Sequence, residues 1–294
     1  MADNDNNPLK TYRGNCHCGA FVFEAQMPEI KDVMQCNCSI CHRKGYLLVN
    51  PVEGSFEVVK GDLDQLTTYR FASEKIQHKF CPTCGIAVLA TMPEGPPGMN
   101  TMLNAHSFQG LDTWDLEKKP YDGRALGNAY ETPKHHGAHP KGEVEGGKTY
   151  TGSCHCGAVT VAVASQPIDE TFAGRVMECN CSFCERGAYT WIYPLTEEVV
   201  LASSQEQDIG RYSFGRNMLS KTFCTKCGTL LTNEYRPISD DEFAKLPEQE
   251  QKMKGLFEKH HPVNLRVFDG LDFSKLSITR NANGKNLWPP YENP

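Results

Sequence analysis

The chain has 294 residues, a formal net charge of −6, 39% hydrophobic and 22% charged residues, and fourteen cysteines. That length and balance describe two soluble globular domains, each able to bury a core, and exclude a disordered chain. No apolar run reaches the roughly 20 residues that cross a bilayer, no basic n-region precedes an apolar stretch, and the acidic balance disfavours a non-specific nucleic-acid binder. The expectation is a cytoplasmic protein with neither membrane nor nucleic acid as partner. Its thiols are expected to bind metal rather than to form disulfides.

In chain order, the polar stretch MADNDNNPLK runs into a first motif, KTYRGNCHCGA (Lys10 to Ala20). The strand candidates of the first half are FVFEA (Phe21 to Ala25), YLLV, FEVV and IAVLA. They are short, β-rich and bounded by Gly, Pro or Asn, as strands of small sheets are. Among them fall CNCSICHRKGY (Cys36 to Tyr46) and FCPTCG (Phe80 to Gly85). The spacer from His135 to Gly147 is rich in glycine and charge, and it reads as an exposed linker rather than a histidine metal site.

After the spacer the order begins again. KTYTGSCHCGA (Lys148 to Ala158), CNCSFCERGAY (Cys179 to Tyr189) and FCTKCG (Phe223 to Gly228) repeat the three motifs. VTVAVA, YTWIY, EVVLA and TLLTN are the strand candidates among them. Tyr69 and Phe71 recur as Tyr212 and Phe214, read as core aromatics with pocket lining as the alternative. The tails match more weakly, LNAHSFQGLD ending at Asp112 and VNLRVFDGLD ending at Asp272. One insertion is particular to the second half: Ser239 to Glu242 has capping-box spacing, and Pro247 is expected to split the stretch ending near Gly255 into two short helices. Periods of this length are domains, not solenoid units: 9–133, a linker at 134–147, and 148–294.

The cysteines fall seven to a repeat, an odd number that opposes a closed disulfide framework. Seven divides into four plus three. Cys16, Cys18, Cys81 and Cys84 in the first repeat, and Cys154, Cys156, Cys224 and Cys227 in the second, make two short pairs each and predict closed tetrahedral structural sites. Cys36, Cys38 and Cys41, and likewise Cys179, Cys181 and Cys184, supply three thiolates from one tight loop. Three protein ligands with one open position is the arrangement of a catalytic zinc. A fourth ligand such as His42, or a cysteine borrowed from the other set, is the alternative for the triplets, and iron in place of zinc is the alternative for the four-cysteine cage; His42 is Glu185 in the second repeat. Arg43 and Arg186 follow the triplets at equal spacing and are candidates to pair with a ligand carboxylate. No general acid or base stands out: His78 has Lys221 as its counterpart.

These motifs, G-x-C-x-C-G, then C-x-C-S-x-C, then F-C-x-x-C-G, then a tail ending in G-L-D, resemble the glutathione-dependent formaldehyde-activating enzyme family, also called the CENP-V/GFA domain group. The resemblance covers nearly the whole chain, twice. It implies a mainly β chain of two tandem Mss4-like, zinc-bound, coiled-sheet domains with few short helices. It also implies up to four zinc ions per chain, structural on the outer cysteine pairs and catalytic on the triplets. The activity it implies is that of a carbon–sulfur lyase like S-(hydroxymethyl)glutathione synthase, acting on a small thiol or aldehyde-type substrate with glutathione as co-substrate. Another zinc-assisted lyase without glutathione and a non-enzymatic zinc-stabilised binding module are the alternatives. One position departs from the family: members often have histidine between the first two triplet cysteines, where this chain has Asn37 and Asn180.

Overall fold

The computed structural model describes residues 8–142 and 144–294. The reading of the N-terminus falls mainly on residues 1–7, outside the described residues. Among the described residues no helix is long and apolar enough to cross a membrane.

Each half begins with a small antiparallel sheet. In the first, strand Lys10–Asn15 pairs with Val22–Met27, which also pairs with Glu57–Lys60. In the second, Lys148–Ser153, Val159–Ser165 and Val199–Ser203 repeat the order. The uninterrupted β-branched and small residues of Val159–Ser165 suit its central place, because every one of its positions is buried.

A seven-stranded sheet follows in each half, with the same order of strands. The strand that ends in the first triplet cysteine, Asp32–Cys36 or Val176–Cys179, lies next to one edge of it. There it is covered by a parallel partner, Glu117–Tyr121 or Ile278–Asn281. All other pairings are antiparallel. The chain is therefore mainly β, the same architecture twice, with few short helices.

The insertion of the second half folds as three short helices rather than two: Asp240–Ala244, Glu248–Gln251 and Lys254–Lys259. Its opening is the capping box: Glu242 N–H donates to Ser239 Oγ (3.2 Å), and Ser239 N–H donates to the Glu242 carboxylate (3.0 Å). Pro247 caps the second helix. A third follows because Leu246 and Glu250 turn inward, Glu250 pairing with Arg216, and the chain must still return to strand Val263–Asn264.

The halves share one interior. Phe183, Tyr189, Trp191, Phe223 and Leu230 of the second repeat belong to the same apolar cluster as Phe21, Ile40, Phe80 and Leu103 of the first. The contact is reciprocal. A Cβ on Gly85 would come within 2.6 Å of the Phe223 ring, and one on its counterpart Gly228 within 2.5 Å of the Phe80 ring. Each C-x-x-C-G turn thus lies against the aromatic residue that opens the other repeat's turn. The helices that carry the third triplet cysteine, Ser39–Lys44 and Ser182–Gly187, also approach each other at their C-terminal ends. Both end in a left-handed residue, Gly45 (φ 60°) and Ala188 (φ 49°), and a Cβ on Gly45 would sit 2.5 Å from the Ala188 Cβ. Ala188 is tolerated because its partner across the approximate twofold is a glycine.

Candidate metal centres and the cavity between them

The four-cysteine clusters assemble as their spacing predicts. Cys16 and Cys18 lie in the turn between the first two strands of the repeat, and Cys81 and Cys84 in the turn after strand Gln77–Phe80. Neighbouring sulfurs stand 3.6 Å apart for Cys16–Cys18 and 3.5 Å for Cys18–Cys81. In the second repeat Cys154–Cys156 and Cys156–Cys224 are both 3.6 Å. A Zn–S bond of about 2.3 Å gives a tetrahedral S···S edge of about 3.8 Å. A disulfide would need about 2.05 Å. All fourteen thiols are free, and within each cluster the sulfurs lie within 4.8 Å of one another. The donor set and spacing fit a closed Cys₄ site. Backbone amides add to it: Phe21 N–H donates to Cys16 Sγ and Val159 N–H to Cys154 Sγ, each at 3.3 Å.

The triplets form at a strand-to-helix junction. Cys36 ends its strand, Cys38 is the cap residue of helix Ser39–Lys44, and Cys41 projects from that helix one turn on. Cys179, Cys181 and Cys184 do the same around helix Ser182–Gly187. Each trio has its sulfurs within 4.8 Å, and among the described residues no fourth cysteine, histidine or carboxylate joins either set. His42 instead packs its ring 5.6 Å from Phe273 of the other repeat. Burial, with Arg266 and Arg43 nearby, lowers its pKa to about 4.

Asn37 and Asn180 hold the triplet loops to the turn that follows the parallel edge strand. Asn37 Nδ2 donates to Asp122 (2.7 Å) and its Oδ1 accepts from Arg124 N–H (2.8 Å). Asn180 Nδ2 donates to the Ala282 carbonyl (2.9 Å) and its Oδ1 accepts from Lys285 N–H (3.2 Å). A short amide with both a donor and an acceptor suits this tether.

Arg43 and Arg186 are buried, 1% and 5% exposed. The carboxylate that Arg43 meets is Asp269 of the other repeat, at 3.0 and 2.5 Å, and its Nε donates to the Ser153 carbonyl. Arg186 donates to the Asn15 carbonyl and to the side chains of Asn15 and Asn293. The expected ligand carboxylate is thus replaced by partners within the chain, because helix packing turns both guanidinium groups into the interface.

Two histidines that sequence reasoning passed over complete the interface. His17, between Cys16 and Cys18, pairs with Tyr212 OH (2.9 Å) and Ser182 Oγ (3.0 Å). His155, between Cys154 and Cys156, pairs with Tyr69 OH (2.8 Å) and Ser39 Oγ (2.9 Å). Burial drives their pKa values down to about 3 and about 4, so both rings are neutral, each able to donate through one nitrogen and accept through the other. Tyr69, Phe71, Tyr212 and Phe214 are therefore grips on the other repeat's histidine. A terminal arm closes over each histidine. Tyr130 stacks on His155 and donates to its carbonyl, as Tyr291 does on His17. The recurrence of Tyr-Glu-x-Pro at 130–133 and 291–294 was the available signal.

Both triplets open into one cavity of about 740 Å³ between the repeats, lined by Cys36, Cys41, Cys179 and Cys184. Arg266, Arg280 and Lys118 face it, as do Glu178 and Glu185. Tyr46 and Tyr189, at equal places after the triplets, line it too. Both are 2% exposed, and among the described residues neither hydroxyl has a hydrogen-bond partner. A buried, unpaired hydroxyl costs about 1–3 kcal/mol, and it recurs at the same position in both repeats.

Residues 11–118 and 149–251 match the family described as glutathione-dependent formaldehyde-activating enzyme. A crystal structure of a Rhodobacter sphaeroides protein is similar at 31% sequence identity, over 37% of this chain and 97% of that one, with a TM-score of 0.33.

Proposed function

The chain belongs to the glutathione-dependent formaldehyde-activating enzyme family, and from that premise we propose that it is a zinc-dependent carbon–sulfur lyase acting on a thiol–aldehyde adduct, with glutathione as co-substrate. The observation that carries this reading is the pair of three-cysteine clusters lining one cavity together with Tyr46 and Tyr189.

The Cys36/Cys38/Cys41 and Cys179/Cys181/Cys184 thiolates would hold the zinc ions, whose chemistry at a three-ligand site is Lewis acidity at the remaining position. The chain's own residues then do the following. Arg280 and Lys118 attract the carboxylates of a peptide-like thiol. Tyr46 Oη and Tyr189 Oη hold a proton against the adduct oxygen. In condensation the thiol sulfur forms a bond to the aldehyde carbon, the thiol gives up its proton and the former carbonyl oxygen gains one. Cleavage returns the electron pair to sulfur and the proton from oxygen.

The test is the rate of exchange between free formaldehyde and its glutathione adduct, followed by NMR with zinc-loaded protein. Acceleration that is lost in the Cys38→Ser, Cys181→Ser double variant is the expected result. No acceleration by the native protein would sink the reading.

A further inference from the structure

The two triplets are equal in ligands but not in what surrounds the sulfurs. In both, the middle cysteine's backbone N–H donates to the first sulfur at 3.4 Å. The second repeat adds side-chain donors. Trp191 Nε1 donates to Cys184 Sγ at 3.3 Å, and Asn281 Nδ2 approaches Cys179 Sγ at 3.7 Å. Sheet register identifies their counterparts. Trp191 pairs with Met177 as Leu48 pairs with Met34, and Asn281 lies opposite Cys179 as Tyr121 lies opposite Cys36. Leu48 has no side-chain donor, and among the described residues no side chain donates to a sulfur of the first triplet. A buried lysine lies near each triplet, Lys44 in the first repeat and Lys221 in the second, so the side-chain donors are what separate them.

An N–H donor to a metal thiolate draws electron density from sulfur. It lowers the sulfur's nucleophilicity and its donation to the metal, and leaves the metal the stronger Lewis acid. We infer that the triplets divide the work: Trp191, with Asn281, quiets the second repeat's thiolates and makes that centre the electrophilic one, while the first repeat keeps the more nucleophilic sulfurs. Trp191 is thus a positioning and tuning residue with no equivalent in the first repeat. The inference rests on the reading of the triplets as metal centres, but not on any substrate.

The experiment is site-resolved alkylation. Zinc-loaded protein is treated with iodoacetamide, and modification of Cys41 and Cys184 is timed by peptide mass spectrometry. The two residues are 6% and 5% exposed and line the same cavity, so access does not separate them. Cys184 should react about fivefold more slowly than Cys41, as one hydrogen bond implies. Trp191→Phe should raise the Cys184 rate about fivefold with Cys41 unchanged. Asn281→Leu should act in the same direction at Cys179. Equal native rates, or a Trp191→Phe protein with four zinc ions per chain and an unchanged Cys184 rate, would overturn the inference. Should Trp191→Phe fail to retain its metal, the native comparison and Asn281→Leu still decide. A protein without lyase activity would remove the functional reading and leave this difference intact.

Discussion

Tyr46 and Tyr189 show what a single buried hydroxyl can report. Among the described residues nothing pairs with either, yet both residues lie in the wall of the cavity that the triplet cysteines also line. If they hold the proton that moves to and from the adduct oxygen, Tyr46→Phe with Tyr189→Phe should lower kcat by about 10²-fold with little change in KM. Melting temperature and zinc content should stay unchanged, because phenylalanine preserves the packing. An equal fall in zinc content would assign the tyrosines to folding instead. Asn37 acts one step from the metal. Asn37→Ala frees the triplet loop from Asp122 and Arg124 and should weaken zinc at that site about 10–100-fold, measured by competition with a chelator.

Among the elements, the cysteine turns do more than clamp their own repeat. Each carries a histidine that reaches the serine following the middle triplet cysteine of the other repeat. The four-cysteine site of one half therefore supports the three-cysteine loop of the other. His155→Phe keeps the aromatic stack but leaves the Ser39 and Tyr69 hydroxyls unpaired. It should destabilise the chain by about 2–4 kcal/mol in denaturant unfolding. It should also loosen zinc at the first triplet before the second. Stripping metal from a four-cysteine site should unfold its repeat outright, since the ligands lie far apart in sequence and the metal joins them.

At the scale of the whole molecule the halves are one body joined across an approximate twofold, and the peptide connection between them is not what keeps them together. A single proteolytic cut between residues 135 and 142 should leave both halves eluting together at the intact mass; separation would refute a stable interface. Asp269 supplies an acid-sensitive part of that interface. Burial opposes its charge, but the hydrogen bonds from Arg43 and Thr132 hold its carboxyl below the ordinary 3.8. A depressed folded pKa stabilises the fold above the unfolded value, and that contribution disappears as pH falls through the folded one. The stability gap between the native chain and Asp269→Asn should therefore be constant above about pH 5 and close below about pH 4. Asp269→Ala strands Arg43 in the interior and should cost about 3 kcal/mol at neutral pH, the low end for a broken buried pair because Asp269 is 36% exposed.

Much of this was legible along the chain because the governing interactions are local. A C-x-C or C-x-x-C turn places its sulfurs within a few residues, so the four-plus-three grouping and the duplication could both be read from spacing. Strand positions followed from β-branched runs such as Val159–Ser165, and the insertion's start from its capping box. What could not be read depends on the fit of one repeat to the other. Arg43 and Arg186 looked like ligand contacts until helix packing gave them partners across the interface. The aromatic pairs proved to be grips on histidines, and the two triplets proved to share one cavity. Spacing within a turn is set by covalent geometry. A surface shared by two domains is set by the shapes and charges of both, and only the folded molecule brings those together.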